Sequence, residues 1–189
     1  MIAFWASLGI IAVAELGDKS QLLALAFASR FKASVVLIGV FFATLLVHAF
    51  SVLIGEILGI ALPGGIVQIV AGVSFIGFAA WTIRGDTWEG AVSDRGRYGA
   101  IATVAFAFFL AELGDKTQLA TVSLATQYQA PIAVWIGSTL GMVAADALAI
   151  GVGTLLGSRL PQRTLAYGAA LTFLLFGAIT IAMGIAELR

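Results

Sequence analysis

The stretch Ala14-Glu15-Leu16-Gly17-Asp18-Lys19-Ser20-Gln21-Leu22 returns 97 residues later as Ala111-Glu112-Leu113-Gly114-Asp115-Lys116-Thr117-Gln118-Leu119, with eight of nine residues identical. Both copies interrupt apolar runs long enough to cross a bilayer. A carboxylate within hydrocarbon costs about 3 kcal/mol or more unless it is paired or faces water, so intramembrane acids mark function by default. Each copy brings two carboxylates and one lysine. That combination, present twice, predicts an ion pathway assembled from two related halves.

The rest of the chain supports a membrane setting. With 61% hydrophobic and 11% charged residues and a mean hydropathy of +1.07, it reads as an all-α integral membrane protein embedded in the lipid bilayer, with no length to spare for a soluble domain. The absence of cysteine excludes disulfides, thiolate metal sites and thiol catalysis. A single histidine, His48, argues against the usual zinc and copper sites. Zero net charge and the lack of a basic patch argue against nucleic acid as a partner. No basic residue precedes the first apolar run, and its acidic motif recurs at mid-chain, so that run is read as a span and not as a cleaved leader.

About 20 apolar residues cross the hydrocarbon core. Six segments qualify, near 2–27, 34–61, 66–84, 98–125, 131–158 and 164–186. The duplication continues beyond the motif: Ile38-Gly39 aligns with Ile136-Gly137, Gly55 with Gly153, Leu58-Gly59 with Leu156-Gly157 and Pro63 with Pro161, at a spacing of 98. The single membrane domain, 1–189, therefore divides into a first three-helix repeat (1–84), a linker (85–97) and a second three-helix repeat (98–189). Three crossings per half make the second half enter from the opposite side, an inverted repeat with its binding site at the midplane. Arg30, Lys32, Arg84, Arg95, Arg97, Arg159 and Arg163 fall in the loops of one side, whereas the other side has only Arg189. By the positive-inside rule those loops, the linker among them, are cytoplasmic and both termini face outward. Phe4, Trp5, Trp81, Trp88 and Trp135 near span ends read as interfacial anchors. Gly55-x-x-x-Gly59 and Gly153-x-x-x-Gly157 permit close helix approach, for packing within the bundle or, alternatively, in a homodimer.

The motif chemistry is that of an oxygen-ligand cation site. On an intact helix Glu15 and Asp18 share a face, as do Glu112 and Asp115. Gly17 and Gly114 weaken the helix there, and an unwound turn adds backbone carbonyls. Brought together, the halves supply Glu15, Asp18, Glu112 and Asp115, the amides of Gln21 and Gln118, the hydroxyls of Ser20 and Thr117, and the counter-charges Lys19 and Lys116. Four carboxylates less two lysines leave a formal charge of −2, which one divalent cation or two protons neutralise. Such donors suit Mg²⁺, Ca²⁺ or Mn²⁺. Crowded carboxylates repel one another, so the empty site is expected to take up protons. A site holding either metal or protons within an inverted frame is what a cation/proton antiporter requires; a passive divalent-cation channel is the alternative. Asp146 aligns with His48 at the middle of its span, and the two are candidate proton-relay positions, with Asp146 alternatively completing the cation shell. No resident cofactor is expected.

The paired Glu-x-Gly-Asp-Lys-[Ser/Thr] motifs resemble the signature of the GDT family of membrane cation transporters, grouped in a calcium/cation antiporter superfamily. The resemblance covers essentially the whole chain. It implies transport of Mn²⁺ and, in several members, Ca²⁺, with proton exchange, and it carries the motif acids onto Glu15, Asp18, Glu112 and Asp115. The compact chain is similar to the bacterial manganese-exporter branch, which implies Mn²⁺ efflux across a bacterial inner membrane, with Ca²⁺/H⁺ exchange as the near alternative. A Gly-x-Gly-Asp intramembrane protease is disfavoured, because Glu15 and Glu112 stand where the first glycine belongs. No enzymatic activity is expected.

Overall fold

The computed structural model describes residues 1–84, 99–156 and 162–189, without the side chains of residues 19, 153–156, 162–166 and 169. The linker charges and Arg95, Arg97 and Arg159 thus lie outside the described residues, as do the side chain of Lys19 and the Gly153-x-x-x-Gly157 pair. Among the described residues every regular element is a helix: α1 (Ile2–Glu15), α2 (Lys19–Ala28), α3 (Ala33–Ala61), α4 (Gly64–Arg84), α5 (Gly99–Glu112), α6 (Lys116–Tyr128), α7 (Pro131–Leu156) and α8 (Gln162–Glu187). Four contain stretches long and apolar enough to cross a membrane: Ala33–Ala61, Gly64–Arg84, Pro131–Val152 and Ala170–Glu187. Ile38, Phe42, Leu46, Phe50, Leu53, Ile57 and Ile60 are exposed along α3. An outward apolar stripe of this length belongs against lipid, since a helix facing water places its polar residues there. The chain is a multi-pass membrane protein.

The first and fourth expected spans are not continuous helices. Each is a pair of short helices, α1 with α2 and α5 with α6, broken at the motif. Gly17 and Gly114 have φ of 81° and 78°, a left-handed conformation that costs a residue with a Cβ about 1–2 kcal/mol. Asp18 and Asp115 follow in extended conformation as the N-caps of α2 and α6. The intact-helix arrangement of the acids therefore gives way to the unwound one.

Close glycine contacts reveal how the helices run. A Cβ on Gly137 would lie 2.5 Å from the Phe4 carbonyl oxygen, and one on Gly141 would lie 2.5 Å from that of Leu8. The register advances together, so α1 and α7 are parallel. Gly55 of α3 meets Val122 and Ala125 of α6, and Gly59 meets Thr126 and Gln129, so these helices are also parallel. The Gly55-x-x-x-Gly59 spacing is thus used inside the bundle. On α4, Gly65 meets Gly184 and Gly72 meets Gly177, which makes α4 and α8 antiparallel. Phe75 stacks on Phe173 between them, with ring centroids 5.9 Å apart. Trp135, expected as an interfacial anchor, is half-buried and donates its indole N–H to the Leu45 carbonyl at 2.8 Å, tying α7 to α3.

Candidate cation site

The two helix breaks carry the acids inward. Glu15 ends α1, Asp18 caps α2, and Glu112 and Asp115 do the same for α5 and α6. All four carboxylates are buried, none more than 3% exposed. Each break is clamped by the glutamine four residues beyond its glycine. The Gln21 side-chain oxygen accepts from Gly17 N–H at 2.8 Å, and the Gln118 oxygen accepts from Gly114 N–H at 2.6 Å. Gln21 also donates from Nε2 to the Ala145 carbonyl at 3.4 Å, joining the first break to α7. This clamping escaped the sequence reading, although the Gly-x-x-x-Gln spacing in both copies carries it.

An ion pair joins the copies. Lys116 Nζ lies 2.6 Å from Asp18 Oδ1, and both side chains are buried. A charge-assisted bond of this length is among the stronger contacts a protein makes. Thr117 serves the second copy: its hydroxyl donates to Glu112 Oε2 at 3.2 Å and reaches Asp115 Oδ2 at 3.4 Å, and its N–H donates to Asp115 Oδ2 at 3.4 Å. In the first copy, both Glu15 oxygens and the Ser20 hydroxyl are buried with no hydrogen-bond partner among the described residues.

The surroundings extend the acidic cluster. Glu15 lies within electrostatic range of Glu112, Asp18, Asp146 and Lys116, and Lys116 also feels Asp115. Asp146 of α7, fully buried with both oxygens lacking a hydrogen-bond partner among the described residues, lies in range of Asp18. Its repeat counterpart differs in kind: His48 is buried in α3, and its Nδ1 has no hydrogen-bond partner among the described residues. The structure thus gathers Glu15, Asp18, Glu112, Asp115 and Asp146 around Lys116 and the first break. Among the described residues, no three His, Cys, Asp or Glu side chains already converge as a metal cage; the acids interact through space, and Lys116 supplies positive charge between them. An excess of buried carboxylate is stable only when neutralised by protons, lysine or a bound cation.

Buried acids at paired helix breaks, enclosed by lipid-facing apolar helices, define a membrane cation transporter. The family model for the divalent cation/proton antiporter GDT1 matches residues 3–90 and 100–187, and the chain belongs to that family, whose members are transporters and not enzymes. It is 37% identical over 178 residues to a Vibrio cholerae protein named "Putative manganese exporter", covering 92% of this chain and 88% of that one. It is 31% identical over 200 residues to GDT1-like protein 3 of Oryza sativa subsp. indica, covering 92% of this chain and 71% of the relative. No solved structure matches this chain.

Proposed function

We propose that the protein exports Mn²⁺ from a bacterial cytoplasm in exchange for protons, binding the cation at the midplane between two inverted three-helix repeats, 1–84 and 98–189. The observation that carries this reading is the buried Lys116–Asp18 pair, which links the two motif copies beside a Glu15 that has no hydrogen-bond partner among the described residues. The parallel α1–α7 and α3–α6 pairs and the antiparallel α4–α8 pair support the inverted frame, because each follows from alternating crossings. The positive loops support an arrangement with both termini outside. The relative named as a manganese exporter supports Mn²⁺ over Ca²⁺.

In this mechanism Glu15, Asp18, Glu112 and Asp115 are the charged ligands, with Ser20, Thr117 and the second lone pairs of the Gln21 and Gln118 oxygens completing an oxygen shell. Lys116 is a built-in counter-ion: an arriving dication takes over Asp18, and the ammonium withdraws. Lys19 plays the matching part in the first copy. Protons entering from the acidic outer side neutralise the carboxylates and release the metal, and the inward-facing site deprotonates and reloads. Expression in a bacterium lacking its own manganese exporter tests metal and direction together. Growth in high Mn²⁺ and lowered cell manganese are expected, both lost in Glu15→Gln. Unchanged cell manganese, or relief of Ca²⁺ stress alone, would contradict the reading.

A further inference from the structure

Gly77 opens a gap on α4 that no neighbouring helix fills. Glycine weakens a helix interior and brings no side chain to pack. Elsewhere on α4 it has a structural use, since Gly65 and Gly72 let the backbone meet α8. Gly77 is different: it is exposed, and among the described residues an added Cβ would find nothing within 4 Å. At the repeat spacing of 98 its counterpart is Leu175, and that of Arg84 is Ala182. The other half therefore repeats neither the gap nor the charge.

The gap lies where two hollows adjoin. One, of about 480 Å³, is a groove with Val70, Ser74 and Phe78 of α4 on one wall and Leu119, Val122 and Thr126 of α6 on the other. The second, also about 480 Å³, is lined by Gly77, Ala80, Trp81 and Arg84. Gly77 and Trp81 line both. Positions 70, 74, 77, 81 and 84 follow at helical spacing, so one face of α4 carries the groove to Arg84.

The lining selects the occupant. The groove's hydroxyls satisfy themselves on their own helices: Ser74 donates to the Val70 carbonyl at 2.9 Å, Ser123 to that of Leu119 at 3.1 Å and Thr126 to that of Val122 at 2.8 Å. What remains is hydrocarbon, and Leu58, Val70 and Leu119 on its rim are exposed. An ion or a polar solute gains nothing from such walls, whereas an acyl chain does. At the far end Arg84 is exposed, and a guanidinium matches the geometry of a phosphate. Ser74 stands ten residues from Arg84, about 15 Å along the axis. That is the depth of one leaflet in a hydrocarbon core about 30 Å thick.

We propose that this face binds one anionic phospholipid of the surrounding bilayer, with its phosphate at Arg84 and an acyl chain passing over Gly77 into the groove. Trp81 stands between headgroup and chain, the level an indole favours in a membrane. Basic positions beside membrane helices hold anionic headgroups by the same attraction. The chain lies against Leu119, on the helix that begins with Lys116 and Thr117.

The test adds phosphatidylglycerol or phosphatidylcholine with brominated acyl chains to the full-length protein in detergent. Quenching of Trp81 fluorescence is read as the difference from Trp81→Phe. Phosphatidylglycerol is expected to quench at about fivefold lower concentration, the effect of one arginine on an anionic headgroup. Arg84→Gln should remove that preference. Gly77→Leu, which gives this half the residue the other half carries, should lose most of the quenching by either lipid. Arg84→Gln, at an exposed position, carries the test alone where Gly77→Leu fails to assemble. Equal quenching by the two lipids in the wild type, a preference that survives Arg84→Gln, or unchanged quenching in folded Gly77→Leu would each overturn the site and leave Trp81 touching ordinary bilayer lipid only.

Discussion

The two motif copies differ at one residue in nine, Ser20 against Thr117, and their hydrogen bonding differs with it. Thr117 is β-branched, so its rotamers are few, and its hydroxyl is held against Glu112 and Asp115. Among the described residues the Ser20 hydroxyl, freer to turn, engages nothing, and both Glu15 oxygens lack a hydrogen-bond partner. A duplicated sequence thus yields one copy whose glutamate is already held and one whose glutamate is not. The unheld copy faces Asp146, whereas the corresponding position in the other half is His48. On the exchange reading proposed above, Glu15 is the acid placed to take the cation, and the second copy supplies the framework against which it works.

The comparison can be broken most directly at the glutamates. Glu15→Gln and Glu112→Gln are each expected to lower Mn²⁺ flux by about a hundredfold or more, beyond what loss of one charged interaction in a solvated site produces. Both variants should remain folded in the membrane, as size-exclusion profiles in detergent would verify. Normal flux in either would remove that residue from the site. Next in size, Lys116→Met takes a charged partner from the buried Asp18 carboxylate, and loss of one partner of such a pair costs about 3–5 kcal/mol. Thermal unfolding in detergent should show the loss, and the double variant with Asp18→Asn should recover much of it. A Lys116→Met protein as stable as wild type would mean that the pair does not join the halves.

Smaller effects sharpen the picture. Gly114→Ala meets no steric obstacle, since nothing lies within 4 Å of the added Cβ. Its cost should be the left-handed backbone alone, about 1–2 kcal/mol, read from the same melts; a neutral result would show that the break relaxes into helix. The smallest change is Ser20→Thr, which makes the copies identical. Its hydroxyl should engage Glu15 as Thr117 engages Glu112 and weaken Mn²⁺ binding about threefold, the worth of one modest hydrogen bond. Calorimetric titration of both proteins measures it, and equal affinities would mean that the serine hydroxyl has no bearing on Glu15.

Much of this was legible in the residues, because duplication and charge in an apolar chain are visible without coordinates. The motif pair, the aligned Ile38-Gly39 and Ile136-Gly137 and the lipid-facing apolar segments all appear as pattern. Other features escaped for physical reasons. The spacing of Glu15 and Asp18 suits both an intact helix and a broken one, and only the positive φ at Gly17 decides. Trp135 stands near a span start, where an indole fits the interface or the interior equally; its bond to Leu45 crosses between helices and leaves no local signature. The alignment of Asp146 with His48 was readable. That Asp146 comes within range of Glu15 and Asp18 depends on tertiary packing.

The measurement that bears most directly on the central claim is Mn²⁺ uptake into proteoliposomes under an imposed pH gradient, with luminal pH recorded at the same time. The account predicts Mn²⁺ entry that rises with the gradient, an opposing proton flux in step with it, and loss of both in Glu15→Gln. Mn²⁺ entry with no proton response would make the buried carboxylates the filter of a channel, and would contradict a site shared by metal and protons.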